Sequence, residues 1–336
     1  MRRMSCVLAL SVCTILYGQT KYTITSIPTE MGQISGLSDT GLVTGFSYDY
    51  SINYFSGTIW NSTNNSFGDL GAYMPSCISG NGKIAGVVET GSGRHLFVSD
   101  ELGHPFDTGI TARYVVGINN TGQVLYYNYP NNTYSNYIYD SVTGSTQSIP
   151  SFQPYGINNN GELAGGDRFW SLQNGPQMIS TTVLVWANAL NDSGTVVGTW
   201  RGCDLSPSSF PYKAFTWSQS QGFTNIGTLG DNCSAMGINN MGTIVGRSEM
   251  PNYDMHAWIY NSDTGMLDLN RFLLNANGWQ CLNEAYYINE NGQILGWGTK
   301  NDGSCGYFLL TPVPEPATML LFGIGGLLYK KYNNLT

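Results

Sequence analysis

Gly156-Ile-Asn-Asn-Asn-Gly161-Glu-Leu-Ala-Gly165 and Gly237-Ile-Asn-Asn-Met-Gly242-Thr-Ile-Val-Gly246 are two copies of one phrase. Five looser copies centre on Gly41, Gly82, Gly122, Gly194 and Gly292. The period is about 42 residues, and self-similarity at that spacing marks a repeat architecture. In each copy an apolar residue such as Ile157 or Ile238 ends a strand. Asn158-Asn159 or Asn191-Asp192 then starts a turn, because these side chains hydrogen-bond their own backbone and tolerate unusual dihedrals. The central glycine supplies the positive φ that a short hairpin loop needs. The next strand alternates, as in Thr243-Ile244-Val245. Gly165 and Gly246 suit places where backbones approach closely.

Two further strand-like pieces follow in each unit. One is aromatic-rich, as in Ala214-Phe-Thr-Trp217 and His256-Ala-Trp-Ile-Tyr260; the other follows a polar turn, as in Met266-Leu-Asp-Leu269. Four short strands in this length make one propeller blade. The expectation is an all-β, seven-bladed β-propeller over residues 21–311, with an open β-solenoid or paired β-sandwiches as alternatives. Lys21-Tyr-Thr-Ile-Thr-Ser-Ile27 and Gly306-Tyr-Phe-Leu-Leu310 are lone strands at the two ends of the repeats. Pairing them would complete one blade and remove exposed edges. Leu267 to Asn275 is the one segment that suits a turn of helix.

Composition narrows the function. Glycine is 42 of 336 residues without a Gly-X-Y period, which reads as turn density. Only 11% of residues are charged and the net charge is −8. No basic stripe exists, so nucleic acid is not an expected partner. The three histidines show no metal-ligand spacing. Glycoside hydrolysis needs two facing carboxylates about 5–9 Å apart. Asp39, Asp192, Asp231, Asp268 and Glu284 are available, but they fall in turns or at strand ends, where carboxylates commonly serve the backbone. No catalytic residue is assigned. The turns Ser38-Asp39-Thr40-Gly41 and Asn191-Asp192-Ser193-Gly194 offer oxygen ligands that keep calcium open as a cofactor, with a plain Asx-turn as the default.

Binding finds more support. Tyrosine numbers 22 and tryptophan 8. Tyr48, Tyr50 and Tyr54 form one insert-like cluster, and Tyr126, Tyr127 and Tyr129 another. Exposed aromatics beside Asn and Ser could stack on sugar rings while amides bind hydroxyls. The competing reading is that such aromatics fill the space between blades.

Both ends read as targeting elements. Residues 1–20 have a short positive start and an apolar core of signal-peptide length. An exported chain can form disulfides. Cys203 with Cys233, and Cys281 with Cys305, flank successive aromatic strands at similar spacing and are expected to pair, leaving Cys77 odd. The tail, residues 312–336, holds Pro314-Glu315-Pro316, an apolar run to Tyr329, and Lys330-Lys331. It is short for a membrane span, which takes about 20 residues. The tail resembles the PEP-CTERM sorting signal of Gram-negative bacteria. That resemblance implies export, a short transmembrane helix inserted transiently or retained, processing by an exosortase-type membrane protease, and an extracellular or outer-surface destination.

The body resembles the extracellular HAF-repeat family. His256-Ala257-Trp258 and Lys213-Ala214-Phe215 are weakened copies of its tripeptide, and Ile226-Gly-Thr-Leu-Gly230 with Ser234-Ala-Met-Gly-Ile-Asn-Asn240 follows its longer pattern. The resemblance implies export and repeats, and no established chemistry. The expected role is a non-catalytic surface or matrix protein binding extracellular polysaccharide or a surface protein. A hydrolase or lyase acting on exopolysaccharide and a purely structural matrix component remain the alternatives.

Overall fold

The computed structural model describes residues 20–49, 54–100, 103–129, 135–150, 152–201 and 211–314. These form seven antiparallel four-stranded sheets. Blade 1 comprises Gln33–Leu37, Leu42–Asp49, Tyr54–Asn61 and Ser66–Gly71, and blades 2 to 6 repeat this meander in order along the chain. Blade 7 takes three strands from one end of the repeats, Trp279–Ile288, Ile294–Lys300 and Cys305–Val313, and its outermost strand, Lys21–Ser26, from the other. Lys21 pairs with Val313 and Ser26 with Phe308, so the ring is shut by an antiparallel seam. The segment that suited a turn of helix contains one 3-10 turn, Leu269–Arg271.

The core is not central. It is divided into seven apolar clusters, one at each junction between neighbouring blades. Between blades 7 and 1 lie Met31, Val43, Trp60, Leu295 and Leu309; between blades 5 and 6 lie Val197, Ala214, Ile244 and Trp258. Alternation along each strand sends side chains to the two faces of its sheet. Each face meets a neighbouring blade, so both faces are apolar in the middle strands.

Two expectations are corrected. The cysteines do not pair: Cys77, Cys233, Cys281 and Cys305 are free, and Cys203 lies outside the described residues. Geometry explains it for the second pair. Cys281 and Cys305 are both register partners of Thr299, on opposite sides of its strand. Strands lie about 4.8 Å apart, so the two Cα atoms sit two strands apart, beyond the about 7 Å limit of a disulfide. Cys233 is 2% exposed in the junction of blades 5 and 6, within the cluster formed by Ala214 and Trp258. The expected transmembrane helix is likewise not found: no helix of the described residues is long and apolar enough to cross a membrane. Pro312 and Val313, at the head of the tail, belong to the closing strand. Pro314 is the last described residue, and Glu315, Pro316, Lys330 and Lys331 lie outside.

Candidate ligand-binding channel

The seven Asn–Gly turns are equivalent joints. Gly41, Gly82, Gly122, Gly161, Gly194, Gly242 and Gly292 all have φ between 72° and 92°. Each donates its N–H to the carbonyl three residues back, as Gly161 does to Asn158 at 3.1 Å. The leading asparagine does two things. Asn158 Oδ1 accepts the Glu162 N–H at 2.9 Å, closing its own turn, while Nδ2 donates to the Asn191 carbonyl of the next blade at 2.9 Å. The same crossing runs from Asn119 to Asn158, Asn191 to Asn239, Asn239 to Asn289, and Asn289 to Ser38. In blades 1 and 2, where Ser38 and Ser79 replace asparagine, Asp39 N–H to the Gly80 carbonyl and Asn81 Nδ2 to the Asn120 carbonyl bridge the junctions instead. A continuous girdle of hydrogen bonds therefore encircles one mouth of the ring.

The girdle also absorbs the turn carboxylates. Asp39 accepts the Glu290 N–H, Asp192 accepts the Asn159 N–H, and Glu290 accepts the Asn240 N–H. Burial, with Asp39 and Asp192 nearby, pushes the Glu290 carboxyl above its ordinary range. The carboxylates that the turns offered to calcium are thus spent on the neighbouring blade, and no group of three potential metal ligands occurs among the described residues.

Above the girdle the innermost strands of six blades are interrupted at one matching place. Register shifts fall between Ile34 and Gly36, Pro75 and Cys77, Val115 and Gly117, Ala187 and Ala189, Ala235 and Gly237, and Ala285 and Tyr287. The residues so extruded are Ser35, Ser76, Val116, Asn188, Met236 and Tyr286, and Tyr155 holds the matching place in blade 4. A bulge re-aims its side chain. Here all seven line one central cavity of about 550 Å³, joined by Gln33, Tyr287 and Tyr307. The bulge also dictates a glycine on the adjoining strand: a Cβ on Gly246 would run into the Ser234 carbonyl and the Trp258 ring.

The cavity is neutral and aromatic. No Asp or Glu lines it. Tyr155 is 48% exposed and Tyr287 38%, with the Tyr287 hydroxyl donating to the Ser35 carbonyl at 3.3 Å. Surrounding protein displaces water from Tyr287 and pushes its phenol up to about 12. Tyr286 is raised by desolvation and then by Glu284, and Tyr307 by desolvation. These phenols stay protonated at neutral pH and can both donate and accept hydrogen bonds.

The described sequence-derived tyrosines lie toward the end of the second strands away from the girdle, or at the start of the third. Tyr48 packs against Phe55 with ring centroids 4.5 Å apart. Tyr50 lies outside the described residues, and Tyr54 is known only as the first residue of its strand. Tyr126 corrects the expectation of an accessible ring: it is 3% exposed and stacked on Tyr137 between blades 2 and 3. Tyr127 is stacked on Tyr114, and Tyr129 lies beside Arg113. The structure separates the blade 1 cluster from the blade 3 cluster and brings Tyr114 and Arg113 to the latter. The channel residues escaped sequence reading, yet a signal existed. The position three residues before the turn Asn or Ser is Ser, Ser, Val, Tyr, Asn, Met and Tyr through the seven units, while the phrase around it barely changes.

One arrangement resembles hydrolytic machinery. His95 Nδ1 lies 3.0 Å from Asp107, and its Nε2 lies 3.1 Å from Ser92 Oγ. The same histidine–aspartate pair recurs in blade 6, with His256 Nδ1 2.9 Å from Asp268. Recurrence at equivalent positions assigns the pair to clasping third and fourth strands. Asp268 also caps the 3-10 turn through the Asn270 N–H, and Glu284 pairs with Arg247 at 2.9 Å.

Fold and channel together define a closed seven-bladed β-propeller with a neutral axial cavity. Solved propellers are similar to it. An acylaminoacyl peptidase bound to Z-Gly-Gly-Phe-chloromethyl ketone matches with TM-score 0.57 at 10% identity, over 90% of this chain and 54% of that one. The acylaminoacyl peptidase of Pyrococcus horikoshii matches with 0.55 at 12%, over 93% and 54%. The RRP9 WD40 repeats match with 0.52 at 11%, over 88% and 99%. The chain spans about half the length of the peptidases, and at these identities the likeness shows the fold alone. No curated protein matches the chain. Residues 312–329 match the PEP-CTERM protein-sorting motif, which implies recognition by an exosortase-type system and supports extracellular or surface export.

Proposed function

We propose that this is an exported, non-catalytic propeller that binds an uncharged glycan in its axial channel. The observation that carries the reading is the ring of seven equivalent residues, one from each blade and six of them at bulges, lining a cavity rich in phenol, hydroxyl and amide groups. Such groups match sugar hydroxyls as donors and acceptors, and tyrosine faces cover the C–H faces of the rings. A lining without carboxylates supports binding over hydrolysis driven by a carboxylate pair. The repeats are proposed to be of the HAF kind, in which His256 is tied to Asp268 while Ala257 and Trp258 are fully buried. The proposed partner of the tail is an exosortase-type membrane protease.

The test is a glycan array on the full-length chain beside Tyr155→Ala and Tyr286→Ala. Neutral glycans are expected to bind the parent and to lose at least tenfold in affinity in each variant. A silent array, or binding that survives both substitutions, overturns the channel reading. New reducing ends released from a bound glycan would favour the hydrolase alternative.

A further inference from the structure

The face away from the girdle carries a second constellation, separate from the channel. Between blades 2 and 3 an open groove of about 490 Å³ is lined by Glu89, Arg94, Arg113, Tyr114 and Asn128. Its two cations differ. Arg94 is paired with Glu89 and so contributes little net charge. Arg113 has no carboxylate partner among the described residues. Its guanidinium instead lies 5.6 Å from the Tyr114 ring centroid and 6.0 Å from that of Tyr129. Tyr114 is 44% exposed and backed by Tyr127, with centroids 5.0 Å apart and planes at 25°. In a chain of net charge −8 this is an uncancelled cation, braced between aromatic faces and beside a flat ring open to solvent.

We propose that this groove binds a carboxylate-bearing glycan, with a uronate carboxylate on Arg113 and a sugar ring against Tyr114. A guanidinium grips a carboxylate through two parallel N–H donors. The single uncancelled charge suits one carboxylate at this place, with the neighbouring sugar ring carried by Tyr114.

The backbone argues against an acidic peptide. Arg113 N–H is taken by Asn128 Oδ1 at 2.9 Å, and Arg113 C=O by Arg94 Nη1 at 3.3 Å. Thr111 C=O accepts from Asn128 Nδ2 at 3.0 Å, and Ala112 N–H donates to Arg94 C=O at 3.1 Å. An extended peptide would find no free main-chain ladder here, so recognition falls to side chains.

The experiment is calorimetric titration of the full-length chain with oligogalacturonate, its fully methyl-esterified counterpart, and a poly-glutamate peptide of equal length. In a Tyr155→Ala/Tyr286→Ala double variant, where the neutral ester has no intact channel to enter, oligogalacturonate is expected to bind, the ester to bind at least tenfold more weakly, and the peptide not to bind. Arg113→Ala and Tyr114→Ala should each weaken oligogalacturonate at least tenfold, and Arg113→Lys several-fold, with unchanged unfolding midpoints. Tyr155→Ala and Tyr286→Ala should leave this titration unchanged, so failure here and failure of the channel reading are separable. Equal binding of acid and ester in the double variant, equal binding of the peptide, or indifference to Arg113→Ala overturns the proposal.

Discussion

Asn158 shows how much one side chain does in this ring. It is 4% exposed, and both ends of its amide are satisfied, one within its own turn and one on the next blade. Blades 1 and 2 show what a smaller residue keeps. Ser38 and Ser79 still accept the N–H four residues on, at 3.0 Å each, but reach no neighbour. Asn158→Ser should therefore preserve the turn and lose the crossing. The expected cost is about 1 kcal/mol, the net worth of one hydrogen bond with its acceptor left partly unmet. Asn158→Leu removes the crossing and every bond the side chain makes within its turn, and should cost about twice as much or more. Urea unfolding of the two variants checks the order. The turn chemistry was legible in the sequence, because Asn, Asp and Gly at fixed offsets have few other uses. The crossing was not, since the partner carbonyl lies in another unit and only the closed ring brings it within reach.

At the scale of the strand, the bulge governs its neighbours. Extruding Met236 draws the Ser234 carbonyl toward the second strand of blade 6, where only Gly246 leaves room. Gly246→Ala should destabilise the chain by about 1–3 kcal/mol through overpacking, as read by a thermal unfolding shift. A midpoint equal to the parent's would show that the strand yields freely. Sequence reading anticipated a close approach at Gly165 and Gly246 from the missing side chain. It did not find the bulge that causes it, because an extra residue in a strand disturbs alternation by one place and leaves no composition signal. The channel stayed hidden for the same reason. Tyr126 erred in the other direction: a tyrosine-rich run looks like a surface insert, yet alternation buries every second ring.

At the scale of the whole molecule, stability rests on seven apolar junctions and a hydrogen-bonded seam. The four described cysteines carry none of it as cross-links. Unfolding midpoints with and without a thiol reductant should coincide. A lower midpoint under reducing conditions would mean that a disulfide forms after all. Repeat number and ring closure were readable because seven equivalent phrases and two lone strands permit few other arrangements. The disulfides were misjudged because similar spacing along the chain says nothing about how many strands lie between.

Lys21 and Val313 face each other at the end of the seam. Thr20 and Pro312 border the same hollow as Asn291 and Gly292 of a girdle turn. The polypeptide thus enters and departs side by side, at the rim and on one flat side of the disc. If the sorting tail tethers the protein to a surface, the disc hangs by its edge with the arginine-bearing side turned away from that surface. The latch also imposes an order of events. Residues 21–26 have nothing to zip against until residues 308–313 are present, so the circle can snap shut only after nearly all of the repeats have been made.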